Sequence, residues 1–230
     1  MNRKAFAAAF PATVPVMLGY LTLGAAFGLL LNAAGFGVGW AALMSGFIYA
    51  GSAQFLGVEL LTAAVPLAQA AVMTFILNFR HLVYGLSMLE KFCGMGWKKP
   101  YMIFSLTDET YALLSSLHVP VGVKPADYYF AVSLLDQLYW VAGSLLGGLL
   151  GTALTINTQG ADFAMTALFI VIAVGQWENA KSHLPALLGG GISLLTLVLF
   201  GPERFLVPAL AVMILALLVL HGRLDREETA

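Results

Sequence analysis

Long apolar segments follow one another along almost the whole chain. Segments of about 20 apolar residues are long enough to cross a bilayer as helices. In lipid they must be helices, because backbone polar groups there need partners within the segment. The apolar segments lie near residues 12–32, 40–61, 66–89, 128–155, 161–177, 184–200 and 206–221. The pattern predicts an all-α fold: a polytopic transmembrane helical bundle with about six to eight membrane segments.

Composition excludes several other classes of protein. Hydrophobic residues make up 60% of the chain and charged residues 10%, whereas soluble domains carry about 25% charged residues. The net charge of −1 gives no reason to expect a nucleic acid partner. The single Cys93 excludes an intrachain disulfide and an all-cysteine metal site. The sequence contains no HExxH, no GxSxG and no glycine-rich phosphate loop, so we expect no enzyme activity, no metal and no cofactor.

Basic residues occur mainly between the apolar segments, and the positive-inside tendency places them in the cytoplasm. The chain must then cross the membrane an even number of times before Lys91, but three apolar segments lie before that residue. Segment 40–61 is therefore expected to be broken or re-entrant, because "YAGSAQF" interrupts it, and the more polar segment 101–118 is expected to enter the membrane without crossing. Six crossings with two partial segments satisfy the charges, and seven or eight full crossings remain open.

We expect residues 1–230 to form a single membrane domain with an internal repeat. The longest hinge, 90–127, separates two comparable halves, 12–89 and 128–221. "GAAFGLLL" at 24–31 is similar to "GSLLGGLLG" at 143–151, and "AGSAQF" at 50–55 is weakly similar to "AVGQWEN" at 173–179. The four-residue spacing of the glycines in the first pair also predicts close helix packing. The handedness of the repeat remains open.

The third apolar segment carries an arginine deep in its sequence. The stretch from Arg80 to Glu90 covers about 15 Å as a helix, so Arg80 lies near the midplane if Glu90 marks the interface. A charge there costs about 2.5–3.5 kcal/mol and requires an anion. At about 100° per residue the segment has two faces. The polar face carries Thr74, Asn78, Arg80, His81, Tyr84 and Ser87, and the face expected to meet lipid carries Phe75, Phe79, Leu82, Val83 and Leu86.

Three acidic residues are candidate anions for Arg80: Asp108, Glu109 and Asp136. Asp108 and Glu109 are adjacent, so on a helix they diverge by about 100° and are badly placed to share a proton or a metal. Helical spacing places Asp136 on one face with Ser133, Gln137, Trp140 and Ser144. Glu178 and His81 add to these ionisable groups, and histidine titrates near neutral pH. Their number within apolar segments favours a function in transport or proton coupling. A channel-like or non-transporting subunit with a structural ion-pair network is the alternative.

Four stretches carry a resemblance to a known family: "SGFIYAGSAQFLGVELL" (45–61), "TFILNFRHLVYGLSM" (74–88), "FSLTDETYALL" (104–114) and "LDQLYWVAGSLLGGLLG" (135–151). In this order they resemble the AzlC family, the large subunits of bipartite bacterial branched-chain amino acid exporters. The resemblance implies a multi-pass protein of the bacterial inner membrane that exports Leu, Ile, Val and similar hydrophobic amino acids such as Met. It further implies a small AzlD-like membrane subunit as partner and export driven by the proton-motive force. The family's polar signatures fall on Ser52, Gln54, Asn78, Arg80, His81, Thr107, Asp108, Glu109, Asp136 and Gln137, and Tyr84 joins them as a site candidate on the polar face.

A zwitterionic substrate suggests roles for these groups. Asp108, Glu109 or Asp136 would bind its ammonium group. Arg80, or the backbone N–H groups of a helix break near residues 50–55, would bind its carboxylate. Protonation of a carboxylate or of His81 would then release the substrate. Arg80 either holds the substrate carboxylate or neutralises an acid until that acid takes a proton, and the sequence leaves both readings open.

Overall fold

The computed structural model describes residues 3–63, 65–153 and 183–201, together with 170, 174, 177, 205, 208, 209, 211–213, 215 and 216. The chain forms two compact units, residues 1–164 and 165–230. The regular secondary structure of the described residues is helical, which confirms the all-α prediction.

The described part of the first unit contains seven helices, and the described part of the second unit contains one long helix. The helices are α1 (Arg3–Ala33), α2 (Val38–Phe47), α3 (Gly51–Thr62), α4 (Leu67–Ser87), α5 (Lys98–Phe104), α6 (Asp108–Ser116), α7 (Pro125–Ala153) and, in the second unit, α8 (Leu184–Phe200). Among the residues described, α1 and α7 are long and apolar enough to cross a membrane. The predicted segments 161–177 and 206–221, the stretch 173–179 and Glu178 fall largely outside the described residues, so the number of crossings and the repeat stay predictions.

Helices α1 and α7 pack against each other through glycines. A Cβ added at Gly24 would lie 2.9 Å from the Trp140 carbonyl oxygen, and one added at Gly28 would overlap the Ser144 carbonyl. Their residue numbers rise together along the interface, so the helices are parallel. The predicted close approach is confirmed, and the two similar segments 24–31 and 143–151 contact each other directly.

Helix α1 begins earlier than the apolar segment 12–32 indicated. It starts at Arg3 and continues through Pro11 and Pro15. Proline normally ends a helix because it lacks an N–H group, but membrane helices tolerate it when neighbouring groups satisfy the freed carbonyls.

A break between α2 and α3 interrupts the predicted segment 40–61. Tyr49 in the break has a φ of 41°, a left-handed conformation that is unusual for a bulky residue, and its side chain is buried. Helix α3 then begins at Gly51 without a side-chain cap. The backbone N–H groups of its first turn therefore have no partner within the helix. The predicted interruption is confirmed.

The segment 101–118 is also divided. Helix α5 ends at Phe104 and α6 begins at Asp108. Thr107 caps α6, because its hydroxyl oxygen accepts a hydrogen bond from the Thr110 backbone N–H at 3.2 Å. The break positions two acidic residues, Asp108 and Glu109, in the first turn of α6, where the helix dipole favours negative charge.

Apart from Arg80, the basic residues described in the first unit lie close in the sequence to residues that pack together at one end of it. Ala5 near the start of α1 belongs to the same apolar cluster as Phe92 and as Tyr128 near the start of α7. Lys98 forms an ion pair with Asp127 at this end. The membrane side that this end faces stays a prediction.

Helix α4 has no buried residue. The side chains of the predicted lipid face are all exposed, and the other half of the helix carries the polar groups described next. These exposed side chains are Phe75, Phe79, Leu82, Val83 and Leu86. The predicted two-faced character of this helix is confirmed.

Candidate functional site

Arg80 on α4 reaches the N-terminal ends of two other helices. Its Nη1 lies 2.6 Å from Oδ2 of Asp108 at the start of α6. Its Nη2 donates to the Ser52 hydroxyl, at the start of α3, at 2.5 Å. The Tyr84 hydroxyl donates to the second oxygen of Asp108 at 2.8 Å. Asp108 is therefore the anion that the sequence required for Arg80 without identifying it.

The site is rich in groups that bind anions. The free N–H groups of helix N-termini and the positive end of the helix dipole favour negative charge. Two such ends, those of α3 and α6, meet at the Arg80 guanidinium. Asp108 supplies the opposing charge in contact with Arg80, so the cluster presents a cationic side and an anionic side next to each other.

The ion pair is accessible. The side chains of Arg80 and Asp108 are 32% and 37% exposed, so a small molecule can approach both charges. The Arg80 Nε atom is buried and has no hydrogen-bond partner in the described part of the chain. The arrangement can bind a molecule that carries an anionic and a cationic group together.

Asp108 and Glu109 point to different partners, as their adjacency predicted. The Glu109 carboxylate accepts a hydrogen bond from the Tyr20 hydroxyl on α1 at 2.8 Å. Asp108 contacts Arg80 and Tyr84 instead. The two carboxylates thus belong to separate clusters at the same helix end.

Asp136 lies deeper and is joined to Glu109 by three hydroxyl groups. The Thr110 hydroxyl donates to Asp136 Oδ2 at 2.8 Å, and the Thr107 hydroxyl donates to Thr110 at 3.0 Å. The hydroxyl oxygens of Tyr20 and Thr107 are 2.5 Å apart. Asp136 is fully buried. In the part of the chain that the structure describes, neither Asp136 nor Glu109 forms an ion pair.

Gln54 lies in a separate, buried network. The Trp140 indole N–H donates to the Gln54 carbonyl oxygen at 2.8 Å, and the Gln54 amide donates to the Ser45 hydroxyl at 3.1 Å. Ser45 in turn donates to Ser144 at 2.8 Å. These bonds connect α2, α3 and α7 around the helix break.

Gln137 also supports the break. It accepts a hydrogen bond from the Tyr101 hydroxyl at 2.6 Å and donates to the Gly46 carbonyl at 3.0 Å. Gly46 lies in the last turn of α2, so Gln137 holds the end of α2 against α7. Its hydrogen bonds, like those of Gln54, are with protein groups, here on α5 and α2 next to the break.

His81 and Asn78 lie on the same half of α4 as Arg80. His81 is half-buried, with Nδ1 3.3 Å from the Asn78 carbonyl oxygen, and its ring meets that of Tyr84 edge to face at 5.8 Å. The Asn78 amide donates to the Thr74 carbonyl at 3.0 Å. Both residues flank the ion pair without forming bonds to Asp108.

Sequence reasoning did not single out Tyr20 or Thr110. Tyr20 lies in an apolar segment where an aromatic ring indicates packing, and its hydroxyl meets residues almost 90 positions away. Thr110 follows the cap residue by three positions, a spacing that indicates helix capping only. Their roles depend on tertiary contacts, and no local signal predicts these.

The described residues contain no cluster of three or more His, Cys, Asp or Glu side chains suited to a metal ion.

Comparison with known proteins reveals clear relatives. The family described as AzlC protein matches residues 15–154. The branched-chain amino acid transport protein AzlC of Bacillus subtilis is 42% identical over 235 residues, covering 100% of this chain and 92% of that protein. A membrane protein of Helicobacter pylori with no assigned role is 43% identical over 96% of this chain and 97% of its own length. The inner membrane protein YgaZ of Escherichia coli is 25% identical over 74% and 72%. No solved structure matches the chain.

Proposed function

The chain belongs to the AzlC family, and from this premise we propose that it is the transporting subunit of a secondary exporter of branched-chain and similar hydrophobic amino acids. Its relatives are named as membrane proteins, and it is itself a helical, transmembrane protein of that family. The substrates Leu, Ile, Val and Met, the outward direction and the proton coupling are our proposals.

The observation that carries the proposal is the accessible Arg80–Asp108 ion pair between two helix N-termini. A zwitterionic amino acid carries one charge complementary to each member of this pair. Its carboxylate would bind the Arg80 guanidinium and the free N–H groups at the start of α3. Its ammonium group would bind Asp108, which Tyr84 orients through a hydrogen bond.

Binding in this way replaces one charge pairing with two. The substrate separates Arg80 from Asp108 and gives each a new partner, so no charge stays unpaired inside the membrane, where an isolated charge is costly. Ser52 and Tyr84 would hold the two side chains in place during the exchange. Arg80 thus neutralises Asp108 in the empty state and holds the carboxylate in the loaded state, which combines the two roles left open by the sequence.

Gln54, Gln137 and the flanking residues have supporting roles in this proposal. Gln54 and Gln137 fix the helix break that exposes the N–H groups of α3. Asn78 and His81 border the ion pair on α4. Proton uptake by an acidic residue or by His81 would weaken substrate binding and couple export to the proton-motive force.

We further propose that the chain works in the bacterial inner membrane together with a small AzlD-like membrane subunit. The chain would supply the charged site. The alternative function is a channel-like or non-transporting subunit whose polar groups only hold helices together. The buried Gln54–Trp140 network fits that alternative, because its polar atoms bond to one another. A purely structural role would not require the Arg80–Asp108 pair to be accessible.

Counterflow of labelled leucine in proteoliposomes tests the proposal. We expect exchange by the wild-type chain reconstituted with its small partner. Arg80→Lys and Asp108→Asn should each lower it about tenfold or more, since a charged hydrogen bond contributes about 1.5–3 kcal/mol and 1.4 kcal/mol corresponds to tenfold in binding.

Asp127→Asn is the matched control. It makes the same chemical change in the ion pair with Lys98 at the basic end, and we expect nearly wild-type counterflow. If the wild-type complex exchanges no amino acid, the transport proposal fails. If Asp127→Asn is as harmful as Asp108→Asn, the Arg80 site is not specific and the structural alternative is favoured.

A further inference from the structure

A continuous hydrogen-bonded chain connects an exposed carboxylate with a buried one. It runs from Glu109 through the hydroxyl groups of Tyr20, Thr107 and Thr110 to Asp136. We propose that Glu109 and Asp136 share a single proton, which moves between them along these three hydroxyl groups. The inference rests on the proposed function in one respect: the proton is taken to be the one coupled to transport.

The number of hydrogens in the chain supports a shared proton. Four oxygen–oxygen contacts join its five members, but the three hydroxyl groups supply only three hydrogens. If Tyr20 donates to Glu109 and both threonines donate towards Asp136, the contact between Tyr20 and Thr107 has no hydrogen. That contact is 2.5 Å, a distance at which oxygens without a hydrogen between them repel. One added proton, on either carboxylate, completes all four hydrogen bonds.

The transfer balances atom by atom. With the proton on Glu109, that carboxylic acid donates to Tyr20, Tyr20 to Thr107, Thr107 to Thr110 and Thr110 to Asp136. Each oxygen then passes its hydrogen to the next, and the proton arrives on Asp136. Every hydrogen bond in the chain reverses direction. No net charge appears on a hydroxyl group before or after the transfer.

The two ends differ in the way that a relay requires. Glu109 is exposed and can exchange protons with its surroundings, whereas Asp136 is fully buried. The Oδ1 atom of Asp136 is buried without a hydrogen-bond partner among the described residues. Burial of an unpaired carboxylate oxygen favours the protonated acid, because a buried charge is costly.

Other titratable groups face the two ends. Tyr49 and Tyr101 interact electrostatically with Asp136. Tyr84 interacts with Glu109, and Asp108 with its partner Arg80 lies next to Glu109 in the first turn of α6. The substrate-binding acid and both threonines of the relay therefore belong to one short helix or its cap. A shift of α6 on substrate binding would alter the relay directly.

Infrared spectroscopy of the purified protein tests the shared proton without any transport assay. We expect the wild type at neutral pH to show one protonated carboxyl group from this pair. In Glu109→Gln the new amide donates to Tyr20 and supplies the missing hydrogen, so Asp136 becomes a carboxylate and the band disappears. Asp136→Asn removes the band in the same way from the other end. Independent carboxyl groups would keep the band in at least one of these variants, and that result would overturn the proposal.

Transport measurements test the relay itself. Tyr20→Phe and Thr110→Val each remove one hydroxyl, and Thr110→Ser keeps it. We expect the first two to lower leucine movement driven by a pH gradient at least about tenfold, since positioned proton donors contribute about 10²–10⁴-fold to rates. Counterflow needs no net proton transfer and should fall far less. Thr110→Ser should restore the driven transport that Thr110→Val loses.

Tyr139→Phe is the matched control, because it removes a hydroxyl that bridges α7 to Thr13 on α1 at 3.1 Å outside the relay. If Tyr20→Phe shows the same pH-driven transport as Tyr139→Phe, the relay is overturned. An equal loss of counterflow and driven transport in Tyr20→Phe would show a structural role and overturn it as well. Failure of the proposed function is distinct: it would abolish wild-type counterflow and leave the infrared result unchanged.

Discussion

Helices α7 and α4 are both held by neighbours in the first unit, but in opposite ways. Helix α7 buries apolar, polar and glycine positions along much of its length, whereas α4 buries none. Parallel packing against α1 fixes α7 through backbone contacts. The polar side chains of α4, chiefly Arg80 and Tyr84, tie it to the ends of α3 and α6. A ligand that takes over those ties would change how α4 is attached, while α7 would stay in place.

The polar groups around the two helices also differ in how deeply they are buried. Around α7, the amide of Gln54 and the indole of Trp140 are buried and bonded to protein partners. Around α4, the charges of Arg80 and Asp108 are partly exposed. Buried, satisfied polar networks rigidify a core, and accessible charges are available to a substrate. We therefore expect the Gln54–Trp140 network to hold α7 in place, and the substrate exchange proposed above would involve the α4 region.

The largest effect on stability should come from the glycine contact between α1 and α7. A Cβ at Gly28 would overlap the Ser144 carbonyl, whereas nothing lies within 4 Å of a Cβ at Gly19 on the same helix. Gly28→Ala should destabilise the protein by about 3 kcal/mol, the upper end of ordinary overpacking. Gly19→Ala should be neutral or stabilising by up to about 1 kcal/mol, because alanine is the better helix former. Thermal unfolding in detergent measures both, and similar values for the two variants would show that the α1–α7 contact is not tight.

A smaller effect should follow from the buried amide. Gln54→Leu leaves the Trp140 indole N–H without its partner, and an unsatisfied buried donor costs about 1–3 kcal/mol. Gln69 on α4 is exposed, so Gln69→Leu should change the unfolding temperature little. Equal shifts in the two variants would contradict the contrast between the buried and the accessible polar groups.

The sequence predicted the features that depend on local pattern. The two faces of α4, the interruption predicted at "YAGSAQF" and the close approach at Gly24 and Gly147 all follow from helical spacing or from small residues in series. The structure narrows the interruption to residues 48–50, because α3 already begins at Gly51. The requirement that Arg80 have an anion followed from the cost of burying a charge, and three acids satisfied it equally. Only the fold selects Asp108, because it places the start of α6 beside the middle of α4.

The relay residues illustrate what sequence patterns do not contain. Tyr20 and Glu109 are far apart in the sequence and belong to helices that meet only after the chain has folded. Thr110 resembles any polar residue in the first turn of a helix. Their chemistry depends on contacts between different helices. Helical periodicity predicts which face of its own helix a residue occupies, but it does not predict which other helix that face contacts.

The smallest effect should come from the outward face of α4. Phe79 is 51% exposed, while Phe27 on α1 is fully buried and meets the rings of Phe55 and Trp140 at 5.6 and 6.4 Å. Phe27→Leu should cost about 1–2 kcal/mol through lost ring contacts and imperfect repacking. Phe79→Leu should stay within about 0.5 kcal/mol, because one apolar side chain replaces another against lipid or detergent. Thermal unfolding of both variants, alone and with the proposed small partner, measures the difference. A large cost of Phe79→Leu in the chain alone would mean that this face packs against protein, and α4 would then be as firmly held as α7.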